Sequence, residues 1–276
     1  MKKKLTIIIF TDLDGSLLHR DTFKFDSIKD YLRGLLDKGI IVIPNSSKTE
    51  KEIEKFNEEL GVEIPYISEN GSAIHGLNLI NQNFPNEIIL SRKKEELLKI
   101  FNEKTPEKLL NKCVQISKLS KKEQEKIFGQ KDDKLKDALQ RKYTLPFLFN
   151  GNNSEKNKLL KVLNSNSLTL QEGGRVLNLC DNINKIKSMN RVIKILKKTE
   201  DKIKTIAVGD NYNDLEMLKN GTYLSFNLKN NQIIKKNYFH FSDLIDEKLY
   251  NQFKNMSEDE LIDHQYSYLS FQFFFC

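Results

Sequence analysis

The sequence predicts an α/β fold, a parallel-sheet core interrupted by a mixed α+β insertion, and three observations carry that expectation. Apolar strand signals alternate with amphipathic helix signals near the start of the chain and again near residue 200. Charged helical stretches with isolated short strands fill the middle. Two acid-rich turns, Asp12-Leu13-Asp14-Gly15 and Gly209-Asp210-Asn211-Tyr212-Asn213-Asp214, each follow an apolar run. Each therefore falls at the carboxyl end of a strand, where open parallel sheets bind their ligands.

In chain order, Leu5 to Phe10 reads as a strand, Ser27 to Lys38 as a helix closed by Gly39, and Ile40 to Pro44 as a second strand. Thr49 to Leu60 follows as a helix stopped by Gly61, then Pro65 to Ser68 as a third short strand. The same texture returns as a helix from about Asn184 to Lys197, the strand Ile203 to Val208, a helix through Leu215 to Leu218 and a strand at Thr222 to Phe226. The expected division is a core of residues 1–82 and 180–245, an insertion of residues 83–179 with short strands at Thr144 to Phe149 and Ser167 to Leu170, and a tail of residues 246–276. The tail ends in an aromatic segment, Tyr266 to Cys276, read as a strand or coil docked on the core, with a partner contact as the alternative.

Composition narrows the class. Of 276 residues 38% are hydrophobic and 30% charged, a soluble globular balance. No run approaches the roughly 20 apolar residues of a spanning helix. Met1-Lys2-Lys3-Lys4 before an apolar run imitates a signal peptide, but that run enters Asp12 and Asp14 without a small-residue cleavage site, so a first core strand is expected and secretion is not. Cys113, Cys180 and Cys276 are odd in number and far apart, which gives neither a disulfide framework nor a zinc pattern and fits a reducing cytoplasm. The formal charge of +7 favours anionic ligands. The lysines between Lys118 and Lys136 alternate with Glu123, Glu125, Asp132, Asp133 and Asp137, the pattern of solvated helix faces, so a phosphorylated metabolite is expected rather than nucleic acid. The sequence does not fix the oligomeric state.

The chemistry rests on spacing. Asp12 and Asp14 lie on one side of an extended segment while Leu13 points to the core, so one carboxylate can attack while the other handles a proton. That suits metal-assisted phosphoryl transfer, although the same string also suits a solvated turn. Mg²⁺ prefers oxygen ligands, and Asp12, the Asp14 carbonyl and Asp210 are the expected set, with Asn213 and Asp214 supporting it from behind. Pro44-Asn45-Ser46-Ser47-Lys48-Thr49 leads from the second strand into a helix, and hydroxyl and N–H groups at a helix N-terminus attract anions. Ser46 is the candidate phosphate contact and Lys48 a substrate contact, unless Ser47 or Thr49 acts only as a cap. Lys185 can balance phosphate and nucleophile, with Lys187 as competitor.

The order D-L-D-G-S (Asp12 to Ser16), S-S-K-T (Ser46 to Thr49), Lys185 and G-D-N-Y-N-D (Gly209 to Asp214) resembles the haloacid dehalogenase superfamily of aspartyl-phosphate phosphatases. S-E-N-G at Ser68 to Gly71, R-x-Y-x-x-P-F at Arg141 to Phe147 and G-G-R at Gly173 to Arg175 bring it nearer to mannosyl-3-phosphoglycerate phosphatases, across roughly residues 5 to 226. The resemblance implies a Rossmann-like core under a C2B cap, and Lys185 matches the family's lysine by its distance to Gly209. It also implies Mg²⁺-dependent hydrolysis of mannosyl-3-phosphoglycerate in the making of the compatible solute mannosylglycerate, with Asp12 as nucleophile and Asp14 as acid and base. Arg141 and Arg175 would hold the glycerate carboxylate or sugar hydroxyls. Lys142 and Leu145 stand where the family's cap string has acidic residues, and Asn178 where relatives often carry His. Glucosyl-3-phosphoglycerate or another sugar phosphate is therefore an alternative substrate. A phosphomutase would use the same aspartates; a non-catalytic sugar-phosphate sensor would lack Asp12, Asp14, Lys185 or Asp210, all of which are present.

Overall fold

The computed structural model describes residues 5–19, 22–172, 176–200, 202–209, 212–221, 225–227 and 232–234. The core opens with β1 (Leu5–Thr11), α1 (Asp26–Asp37), β2 (Ile41–Pro44), α2 (Glu50–Leu60) and β3 (Tyr66–Ser68), followed by β4 (Ala73–His75) and β5 (Glu87–Ile89). The inserted region holds α3 (Lys94–Lys104), α4 (Glu107–Leu110), β6 (Cys113–Gln115), α5 (Lys121–Phe128), α6 (Asp132–Leu139), β7 (Leu145–Phe149), α7 (Asn153–Ser165), β8 (Leu168–Glu172) and β9 (Leu177–Asp181). The chain then returns through α8 (Lys185–Leu196), β10 (Lys202–Val208), α9 (Leu215–Asn220), β11 (Ser225–Asn227) and β12 (Gln232–Ile234).

In the core sheet β1 runs between β10 and β2, parallel to both. A parallel bridge from Asn45 to Ile67 carries the sheet on to β3, which pairs antiparallel with β4, and β4 with β5. Alternation along β1 explains why both faces are covered. Ile7 and Ile9 pack with Ile28 and Leu32 of α1 and Ile53 and Phe56 of α2. Ile8 and Phe10 point the other way, onto Met189, Val192 and Leu196 of α8 and Met217 and Leu218 of α9. A strand with apolar residues on both faces is accommodated between two covering layers.

The inserted sheet is antiparallel in the order β6-β7-β9-β8. Leu145, Phe147 and Phe149 of β7 and Leu177 and Leu179 of β9 share one face, packed with Leu97 and Phe101 of α3 and Leu159 and Leu163 of α7. β6 and β9 add to the two strands expected there from sequence. The chain crosses between the two sheets after β5 and again after β9, and the crossings are fastened together: Arg92 donates from N and Nε to Asp181 Oδ2, each at 2.9 Å, and from Nη2 to Oδ1 at 2.8 Å. Residues 222–224 of the expected Thr222 to Phe226 strand and the whole 246–276 tail lie outside the described residues. Among the described residues no helix is long and apolar enough to cross a membrane.

Gly71 fixes the contact between the turn after β3 and the start of α8. It has φ +100°, and a Cβ there would stand 2.5 Å from the Asn184 carbonyl oxygen and 2.9 Å from Ser188 Oγ. Gly71→Ala should lower stability by about 2–3 kcal/mol, from unfavourable φ plus overpacking, read from denaturant midpoints. Because the collision falls on the residue before Lys185, activity should fall with it.

Candidate active site

The site forms where β1, β2 and β10 end. Asp12 is fixed at the tip of β1 by its backbone N–H, which donates to the Val208 carbonyl at the end of β10 at 2.8 Å. Lys185 reaches it from the first turn of α8. Its ammonium is 1% exposed and donates to Asp12 Oδ1 at 2.7 Å and Asp214 Oδ1 at 2.6 Å. Three contacts set its position. Asn184 caps α8 by accepting from Lys187 N at 3.0 Å, and Asn45 at the end of β2 donates from Nδ2 to the Lys185 carbonyl at 2.9 Å. Gly209 lets Asp214 come close, since a Cβ at 209 would lie 2.5 Å from the Asp214 Cβ. Burial acts to lower the Lys185 pKa, but the charges of Asp12 and Asp214 prevail and hold it above the ordinary lysine value. Lys187 faces outward and bonds Asn182 through its carbonyl and Oδ1, each at 2.8 Å.

A second lysine serves the second aspartate. Lys48 Nζ lies 3.0 Å from Asp14 Oδ1 and 3.2 Å from Glu52 Oε1, one turn along α2. It sits over the Phe23 ring at 4.8 Å from the centroid. The Thr49 capping box holds Glu52, whose Oε2 accepts from Thr49 N at 2.9 Å. Burial would pull the Lys48 pKa down, yet Asp14 and Glu52 keep it raised and the ammonium charged. The Asp14 carboxyl is pushed up from its ordinary value, chiefly by burial, with the charges of Asp12 and Glu52 adding to the effect and Lys48 opposing it. For Glu52 burial pushes upward but Lys48 and Arg141 win, and its pKa is lowered. Ser46, buried beside this pair, accepts from Lys48 N through Oγ at 3.3 Å. Asn213 donates to Asn70 Oδ1 at 3.1 Å, tying the acid-rich turn to the S-E-N-G turn.

Arg141 is buried where the inserted region meets the core, and its Nη1 donates to the Ser47 carbonyl at 3.1 Å and to Thr144 Oγ1 at 3.0 Å. Its Nε has no hydrogen-bond partner among the described residues. Arg175 and Asp210 lie outside the described residues. The structure thus brings Asp12, Asp14, Ser46, Lys48, Lys185, Asn213 and Asp214 together and places Arg141 behind Ser47.

Sequence reasoning missed three residues here. Glu52 was signalled by its i, i+4 spacing from Lys48. Asn45 was within a quoted motif but without a role. Glu69 is the third: buried, it accepts from Lys142 N at 2.7 Å, Tyr143 N at 3.1 Å, Thr144 N at 2.8 Å and Thr144 Oγ1 at 2.6 Å. It clasps the inserted region to the core, and partners more than 70 residues apart leave no local signal.

The donors around Asp12 and Asp14 are oxygens. Four carboxylates, Asp12, Asp14, Glu52 and Asp214, stand against the ammonium groups of Lys48 and Lys185. An oxygen-rich site with surplus negative charge fits a hard divalent cation.

The fold and this site define a class, and the comparisons agree with it. A family model described as haloacid dehalogenase-like hydrolase matches residues 9–237. A glucosyl-3-phosphoglycerate/mannosyl-3-phosphoglycerate phosphatase of Persephonella marina is 30% identical, covering 77% of this chain and 81% of its own. A mannosyl-3-phosphoglycerate phosphatase of Pyrococcus horikoshii is 29% identical over 77% and 86% of the two chains. Among solved structures, a haloalkanoate-superfamily phosphatase of Bacteroides thetaiotaomicron superposes with TM-score 0.58 at 16% identity, covering 79% and 82% of the chains, which speaks for the fold. The chain belongs to the haloacid dehalogenase-like hydrolases and is a phosphoric monoester hydrolase.

Lys185→Met leaves Asp12 and Asp214 facing each other without their shared cation. Stability should fall by about 3–5 kcal/mol, the usual result of removing one partner from a buried ion pair. Denaturant melts measure it.

Proposed function

We propose that this enzyme hydrolyses a glycosyl-3-phosphoglycerate, with the mannosyl compound favoured, to the glycosylglycerate and phosphate with Mg²⁺ as cofactor. The observation that carries the reading is the pairing of each aspartate of the first turn with its own buried lysine, one aspartate having a raised pKa. The relatives' names supply the substrate class, and the double name of the Persephonella relative keeps the glucosyl compound as the second reading.

Asp12 attacks phosphorus in line and forms an aspartyl phosphate. Asp14, with its raised pKa, gives its proton to the leaving alkoxide oxygen and later takes one from the water that hydrolyses the intermediate. Lys185 stays charged throughout, so the carboxylate and the incoming phosphoryl oxygens share a fixed cation. Ser46 and the N–H groups around it receive the non-bridging oxygens. Lys48 holds Asp14 in place, and Lys48, Arg141 and Arg175 are the residues assigned to the part of the substrate beyond the phosphate. Bound through Asp12, the Asp14 carbonyl and Asp210, Mg²⁺ would neutralise phosphoryl charge. The inserted region excludes water and selects the leaving group.

The departures from the family pattern differ in place. Leu145 packs into the interior of the inserted layer. Asn178, on β9 between Leu177 and Leu179, points to the opposite face, where it pairs in register with Gln171 of β8, and β8 approaches the Tyr212–Asp214 turn. Of the two, Asn178 is on the side that can meet substrate.

Asp12→Asn should reduce Mg²⁺-dependent phosphate release from mannosyl-3-phosphoglycerate and glucosyl-3-phosphoglycerate by at least about 10³-fold, in line with loss of a nucleophile, while the fold remains. Substantial residual turnover would remove Asp12 from that role. Activity on an aryl phosphate alone in the unaltered enzyme would keep the chemistry and discard the substrate.

The pH profile tests Asp14 separately. A general acid works only while protonated, so kcat/KM should fall on the alkaline side as Asp14 ionises, above the ordinary aspartate range. Glu52 helps to raise that pKa. Glu52→Gln, which keeps an oxygen for the Thr49 cap, should therefore move the alkaline limb to lower pH. An unmoved limb would show that it reports another group.

A further inference from the structure

A second cavity lies on the far side of α2. Lys48, Glu52, Lys55, Phe56 and Glu59 line the flank towards Asp14. The opposite flank of the same helix, with β3, β4 and β5, encloses about 680 Å³. Five glutamates line it, Glu50, Glu54, Glu58, Glu63 and Glu87, and no lysine or arginine is among its lining residues. In a chain of formal charge +7 this is a concentrated negative field.

Within that cavity His75 is held as a ligand is held. It is buried, stacked on Tyr66 with ring centroids 4.7 Å apart, and its Nε2 is 3.2 Å from Ser68 Oγ. A hydrogen bond at one ring nitrogen orients the other and fixes the tautomer. The other, Nδ1, stands 3.6 Å from Glu87 Oε1. One ring nitrogen of His75 and one carboxylate oxygen each from Glu50 and Glu87 all lie within 4.8 Å of one another. Asn57, also buried, lines the same cavity with an unpartnered Oδ1.

We propose that Glu50, His75 and Glu87 form a binding site for a divalent transition-metal ion, zinc-like in preference, separate from the Asp12–Asp14 centre. One imidazole and two carboxylates are a donor set such ions take, at about 2.0–2.2 Å. Ligands on one ion then lie about 3–4 Å apart, so the half-exposed Glu87 closes by a small rotation. Burial lowers the His75 pKa and keeps a lone pair available near neutrality, while Glu50 and Glu87 oppose that shift. Lys142 pairs with Glu50 and competes with the ion. Its removal should therefore strengthen binding.

The test is calorimetric titration of the full chain with Zn²⁺ in excess Mg²⁺, which occupies oxygen-only sites. The expected result is one saturable zinc, at least about tenfold weaker in Glu87→Gln and in His75→Gln, as for loss of a ligand, and tighter in Lys142→Met. Glu87 is exposed enough that its substitution leaves folding intact, so that variant decides the matter should His75→Gln fail to fold. No saturable zinc, or zinc binding unaltered by Glu87→Gln, overturns the site. The readout is independent of turnover, so it stands whatever the substrate proves to be.

Discussion

The Lys185 ammonium between Asp12 and Asp214 is the constraint on which the rest of this molecule is arranged. Taking one cation and two carboxylates out of water costs several kcal/mol per ion, and their attraction offsets this only when the geometry is close and the remaining polar atoms are satisfied. Each of the surrounding features supplies part of that geometry. Asn45 from β2 holds the Lys185 carbonyl, and Gly71 permits the approach of Asn184. Gly209 permits the approach of Asp214, and β1 and β10 are locked at Asp12 through Val208.

The two lysines are not duplicates. Lys185 is tied to the Asp12 carboxylate and to Asp214 in the turn after β10. Lys48 is tied to Asp14 and Glu52, and Glu52 in turn accepts from Gln130 Nε2 of the inserted region at 3.4 Å. A change in how the inserted region sits therefore reaches Asp14 through Gln130, Glu52 and Lys48.

Much of this was legible in the sequence because it is written locally. The largely apolar run Leu5 to Phe10 followed by D-x-D-G can be little else than a buried strand feeding a polar turn, and the Gly61 stop and Thr49 cap bracket α2 within a residue. The inserted region was harder for a physical reason. β6 has three half-buried residues and no period to detect, and α5 buries none of its residues. β4 and β5 are three residues each, too short to show alternation. Glu69 stood within the quoted S-E-N-G string, but its role had no local signal, because its partners at 142–144 lie more than 70 residues away.

Glu69 also explains a conformation that would otherwise be costly. It and Asn70 both hold positive φ, 46° and 61°, which L-residues rarely adopt. Such strain, on the order of 1–3 kcal/mol per residue, persists only where surrounding contacts over-determine it. Here they do: one carboxylate collects three backbone N–H groups and a hydroxyl, charge-assisted bonds worth about 1.5–3 kcal/mol each, and Asn70 receives Asn213 from the acid-rich turn. Glu69 at 142–144 thus fastens the inserted region to the core at a place separate from Arg92–Asp181 at the chain crossings. A swing about the crossings alone would have to release the Glu69 clasp. The strained turn therefore does more than shape a loop: it holds the inserted layer through residues 142–144 and links that hold to Asn213.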